Sequence, residues 1–98
     1  LIGGGSKSPL WRQIAADVMN LPIRVPLLDE AAALGGAVQA LWCLKNTTGK
    51  CDIAELCAEH IKLDESKSTN PIPANVAAYD KAYAEYTKMV DTVAPLYK

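Results

Sequence analysis

The stretch Leu1-Ile2-Gly3-Gly4-Gly5-Ser6-Lys7-Ser8-Pro9-Leu10-Trp11-Arg12-Gln13 decides the fold. Leu1 and Ile2 read as the end of a strand. Three glycines follow, and glycine has no Cβ to obstruct a sharp turn or the approach of a ligand. Ser8 is a preferred N-cap, so Pro9 falls at the first helical position, where its missing N–H costs nothing. The pattern predicts strand, glycine turn and helix. The helix would direct its unpaired N–H groups and positive dipole end at the turn, which makes an anion site. With nothing bound, the same residues make a plain tight turn. The order is not Gly-x-Gly-x-x-Gly, because Ser8 holds the sixth position, and it is not a Gly-x-x-x-x-Gly-Lys-Ser phosphate loop.

Outward from this stretch, a first helix is expected from Pro9 to Met19. Leu10, Ile14 and Val18 share one face, with Trp11 and Ala15 beside them. Arg12, Gln13, Ala16 and Asp17 form the wetter side. Asn20 suits a left-handed exit. Pro22 and Pro26 bracket Ile23-Arg24-Val25, a short strand at or near a sheet edge. A second helix should begin near Asp29 or Glu30 and run to about Leu44. It is apolar almost all round, which predicts burial. Ala33, Gly36, Ala37 and Ala40 make a flat side. Two glycines in a helix cost up to about 1 kcal/mol each relative to Ala. Close approach of a neighbouring element, or of a ligand, would offset that.

The order strand, helix, strand, helix indicates an α/β layer over residues 1–44. Residues 45–61 follow as a polar turn and a short helix. Asp52 and Glu55 form its capping pair, and Ile53, Leu56 and Cys57 its inner face. Residues 62–75 read as a surface loop. A long helix then runs from Asn75, as N-cap, to about Ala94, with Pro95 ending it. Val76, Tyr79, Tyr83, Tyr86, Val90 and Val93 make one stripe along it. That stripe should dock on the chain's own α/β layer, a homodimer seam being the other option.

Composition limits the function. The net charge is −1 over 98 residues with scattered basic side chains, which argues against a nucleic-acid or anionic-membrane surface. No apolar run is long enough to span a bilayer. Cys43, Cys51 and Cys57 are odd in number and irregular in spacing, which suits a reducing cytosol and a cytoplasmic location. Cys51, Cys57 and His60 fit no zinc template, so no metal ligand is assigned. Thr47-Thr48-Gly49-Lys50 is not a phosphate loop, because Cys51 stands where Ser or Thr is needed. With no initiator Met and a strand remnant at its start, the chain is expected to be a piece truncated at its N-terminus.

The longer string from Gly3 to Val18, with Gly-Gly-Gly, Ser, Trp, Gln and Ala-Asp at these intervals, resembles the adenosine-binding motif of the FGGY carbohydrate kinases. Within that family it looks most like the members acting on xylulose. Glu30-Ala31-Ala32-Ala33-Leu34-Gly35-Gly36-Ala37 resembles the family's small-residue helix one strand later. The resemblance implies an actin-like, ribonuclease H-like ATPase fold of two domains with ATP in the cleft between them. This chain would be the C-terminal part of the second domain, 1–98, ending in the helix 76–98. It implies ATP and Mg²⁺ as cofactors, a ketopentose as substrate, and the missing N-terminal domain as the partner.

By matching motif positions, Gly4 and Gly5 would hold the adenosine and α-phosphate region through their backbone, and Ser8 would lie by the adenine. Other members carry Asn at that last position, and Ser8 is shorter. The cap and the adenine contact compete for its one hydroxyl. No catalytic base is assigned. Asp17 reads as a helix-surface or structural carboxylate, and Asp29 and Glu30 as capping residues. The family's base and its sugar-binding residues would lie outside these residues, so the chain alone is expected to be inactive. Kinases for ribulose, gluconate or glycerol are alternatives within the family. A non-enzymatic helical interaction module built on the tyrosine stripe is the alternative outside it.

Overall fold

A computed structural model describes residues 1–97. It contains α1 (Pro9–Met19), α2 (Ala31–Asn46), α3 (Ile53–His60) and α4 (Pro73–Val93). Single 3-10 turns lie at Gly4–Lys7, Glu65–Lys67 and Ala94–Tyr97.

Local chemistry sets the limits of α1. Ser8 Oγ accepts from the Trp11 N–H at 3.3 Å, Pro9 is the first helical residue, and Asn20 exits left-handed at φ 51°. The face that α1 buries corrects the sequence expectation. Arg12, Ala16 and Asp17, assigned to the wet side, are buried, while Leu10 is 70% and Trp11 61% exposed. The reason is polar. Asp17 Oδ1 accepts from Gln13 Nε2 at 2.9 Å and from the Ile72 N–H at 2.8 Å, and its Oδ2 accepts from Asn75 Nδ2 at 2.8 Å. Three donors from two helices and a loop draw this face inward, and an apolar period does not register them. Burial alone would raise the Asp17 pKa. The bonds from Ile72, Asn75 and Gln13 together outweigh it and hold the carboxyl below its ordinary value.

The α/β layer expected over residues 1–44 is not formed as two strands. Among the described residues the only sheet pairing is two isolated antiparallel bridges, Ile23 with Thr69 and Pro26 with Leu63. Leu1 and Ile2 form no strand. The Leu1 amine donates to the Arg24 carbonyl at 2.8 Å, and the chain then enters the glycine turn. At Ile23 and Thr69 both N–H groups are used, at 2.7 and 3.1 Å. The bonds around Pro26 skip it, running from Leu27 to Lys62 and from Asp64 to Val25, so its missing N–H goes unneeded. Glu65–Lys67 loop out between the two bridges, and Asp64 caps them through the Ser66 N–H. Residues 62–69, read as free loop, are therefore the pairing partner of 23–27.

α2 packs on α3. The turn between them is tied by side chains: Trp42 Nε1 donates to the Cys51 carbonyl at 2.8 Å, and the Asn46 amide bonds the Trp42 and Cys51 backbone. Asp52 caps α3 through the Ala54 N–H. Leu56 is buried, Cys57 half-buried and Ile53 exposed. Burial of α2 on all sides is not observed. Val38 is buried and Leu44 is 67% exposed, because α3 and its turn cover a single face. A Cβ added at Gly35 or Gly36 would meet nothing within 4 Å, so among the described residues no neighbouring element approaches them. Glu30 precedes α2 without a side-chain cap bond, and Asp29 pairs with Lys7 at 3.4 Å instead.

Two corrections concern α4. Ile72, not Asn75, is its N-cap, with Pro73 at the first helical position; Asn75 spends its amide on Asp17. The tyrosine stripe docks only at its start. Val76 and Tyr79 are half-buried, and Tyr83 and Tyr86 are 64% and 62% exposed, their rings stacked at 6.4 Å. Length explains this. At 1.5 Å per residue α4 runs about 31 Å and α1, its packing partner, about 16 Å.

Candidate functional site

The glycine turn is a fixed structure. Gly3 sits at φ 79°, a conformation that only glycine adopts without strain. Its carbonyl accepts twice from Ser6, from the N–H at 3.1 Å and from Oγ at 2.7 Å. The Ser8 N–H then donates to the Gly5 carbonyl at 3.2 Å, and α1 begins. Ser6 is buried; Gly4, Gly5 and Lys7 are exposed.

Gly4 and Gly5 differ from Gly3. Their backbone dihedrals lie outside the left-handed region, and a Cβ on either would meet nothing within 4 Å. Neither conformation nor packing within this chain requires glycine there. Standing first in a 3-10 turn, their N–H groups precede the turn's own bonding. Among the described residues nothing accepts from them. Two exposed N–H groups on a surface without Cβ atoms suit an anionic or polar ligand.

Ser8 follows this turn directly, and its Oγ is engaged as the cap of α1. Gly4 and Gly5 are therefore placed together, with Ser8 following them as the cap of α1. Arg12 is the residue that sequence reasoning passed over. It is 9% exposed, and its Nη1 donates to the Ser6 carbonyl at 2.7 Å. The sequence signal was slight: a basic residue one turn into a helix that follows a glycine turn. Asp17 joins α1 to α4 and is remote in role from the glycines, as a structural carboxylate. Among the described residues no group of three or more His, Cys, Asp or Glu side chains is gathered to hold a metal ion. No helix among them is long and apolar enough to cross a membrane.

Comparison with known proteins places the chain beside carbohydrate kinases. Residues 1–44 match the profile of the FGGY family of carbohydrate kinases, C-terminal domain. The chain is 45% identical over 86 residues to a xylulose kinase of Haemophilus influenzae, covering 88% of this chain and 17% of that protein. It is 34% identical over 87 residues to a ribulokinase of Bacillus licheniformis, covering 89% and 16%. It is 37% identical over 98 residues to an autoinducer-2 kinase of an Enterobacter species, covering 92% and 17%. The solved structure of a ligand-bound xylulose kinase from Lactobacillus acidophilus superposes with a TM-score of 0.75 at 25% identity, over 95% of this chain and 18% of that one. The chain thus spans about a sixth of the length of the relatives it matches. Over residues 1–44 the chain is similar to the FGGY C-terminal domain, and over most of its length to the corresponding part of these carbohydrate kinases.

Proposed function

We propose that this chain forms the nucleotide-side part of an ATP-dependent sugar kinase acting on a pentulose, D-xylulose to D-xylulose 5-phosphate. The observation that carries the reading is the glycine turn itself: two exposed glycines with unclaimed N–H groups, at the entry to a capped helix, inside the segment that matches the kinase profile. In this reading Gly4 and Gly5 hold the adenosine and α-phosphate region by backbone N–H groups, and the missing Cβ atoms admit the nucleotide. Mg²⁺ bound with the nucleotide would supply screening of the phosphate charge, and no side chain of this chain is assigned to hold it. The aspartate that takes the sugar hydroxyl proton belongs to the remainder of the kinase. These residues alone turn nothing over. The α/β layer completes itself against strands of that remainder, in an actin-like ATPase domain.

The test is an ADP-release assay on the intact protein with D-xylulose, D-ribulose, D-gluconate and glycerol. The kcat/KM for xylulose is expected to exceed the others by about tenfold or more. Release of ADP with none of them would end the reading as a kinase of these sugars. A second substrate reading is favoured by a specific observation, since the ribulokinase matches as much of the chain as the xylulose kinase does. It is adopted if ribulose ranks first.

A further inference from the structure

Arg12 is the polar anomaly of this fold. Its guanidinium is buried, yet the ion pairs among the described residues are Lys7 with Asp29 and Lys67 with Asp64. Arg12 joins neither of them. Its Nη1 donates to the Ser6 carbonyl, and its Nε is buried with no partner. Burying a charge without a counter-ion is costly, and an apolar side chain of similar volume would fill the space at less cost. The fold nevertheless keeps a positive charge against the glycine turn, where the Gly4 and Gly5 N–H groups are also unclaimed.

The hydrogen bonds suggest what the charge is for. Ser6 pins the Gly3 carbonyl twice, and Arg12 pins the Ser6 carbonyl. The Gly4 and Gly5 peptide units lie between these two fixed points. Resting on the ATP reading above, we propose that Arg12 is a positioning residue of the nucleotide site. It holds the turn so that the two glycine N–H groups stay directed outward, and its uncompensated charge strengthens their hold on phosphate oxygens. Preorganised donors beside a low-dielectric charge bind an anion without rearranging.

The experiment compares wild type, Arg12→Met and Arg12→Lys in the intact protein, with MgATP affinity measured by calorimetry and KM measured separately for ATP and for sugar. In Arg12→Met the KM and Kd for ATP are expected to rise about tenfold, with the KM for sugar within about twofold. Arg12→Lys keeps the charge but loses the planar fork, and falls between. A merely structural role would lower the thermal midpoint and the active fraction while leaving the KM for ATP unmoved, and that result overturns the proposal. Should Arg12→Met not fold, an unchanged KM for ATP in Arg12→Lys overturns it alone. A wild-type protein that binds no MgATP overturns the kinase reading together with this one. Wild-type binding with unaltered variants overturns only the role of Arg12.

Discussion

At the residue scale, Ser8 and Asp17 show how one oxygen can be committed before function is considered. Ser8 Oγ caps α1, so Ser8→Ala is expected to cost about 1 kcal/mol of stability, read as a lowered urea midpoint. Ser8→Asn should restore the cap. If Ser8 has no further role, the KM for ATP will be the same in all three proteins; a raised KM in Ser8→Ala alone would give the hydroxyl to the adenine. Asp17 makes a prediction about pH. Its carboxyl titrates below 3.8 in the folded chain and near that value when unfolded. The stability it contributes is therefore present at pH values well above the ordinary carboxylate pKa and drains away as pH falls from there through the lower folded pKa. Asp17→Asn, which does not titrate, should be less stable than wild type at pH 7. The gap between the two should close as pH falls below 3.8. A gap of constant size from neutral to acid pH would show that the charge of Asp17 does not matter.

At the element scale, what was legible in the sequence was local. The limits of α1, its Ser8 cap, its Asn20 exit and the Asp52 cap of α3 are written in a few adjacent residues, and each is where the chemistry of capping put it. What was not legible depends on residues far apart. The inward face of α1 is set by Ile72 and Asn75, more than fifty positions away, through polar atoms. The pairing of 23–27 with 62–69 crosses a similar distance, and its turn at Glu65–Lys67 looked like loop because it is one. The glycine turn was legible as a turn; the charge against it was not, since nothing in the spacing distinguishes a buried arginine from a solvated one. α2 offers a direct test of its glycines. In this chain neither meets a neighbour, so Gly36→Ala should raise helicity and add up to about 1 kcal/mol by circular dichroism melts. In the intact protein the same change should instead lower stability or ATP affinity if another element or the nucleotide lies against that face. A gain of equal size in both would mean that nothing does.

At the scale of the whole molecule, the chain does not close on itself. Its radius of gyration is 18.7 Å, where a compact domain of this length has about 13 Å. The buried apolar side chains are Ala16, Val25, Val38 and Leu56, while Trp11, Leu44, Tyr83, Tyr86 and Met89 are all more than half exposed. Among the described residues nothing covers the face of α4 that carries Tyr86, Met89, Val90 and Val93, and in α2 Leu44 is exposed while Leu34, Leu41 and Trp42 are half-buried. Apolar area left in water contributes nothing to folding, at roughly 25 cal/mol per Å² forgone. Among the described residues α1 and α4 are joined at the Asp17 hub, α2 and α3 at the Asn46 turn, and 23–27 with 62–69 by two isolated bridges, and these parts are expected to open separately rather than together. The 98-residue chain studied alone should therefore unfold in urea with a shallow slope, below about 1 kcal/mol per M, and should bind a hydrophobic dye before it melts. A steep transition that is the same by tryptophan fluorescence and by circular dichroism would contradict this. It would mean that Trp11 and Trp42, one near the glycine turn and one at the α2 end, report a single cooperative unit that these four buried residues do not account for.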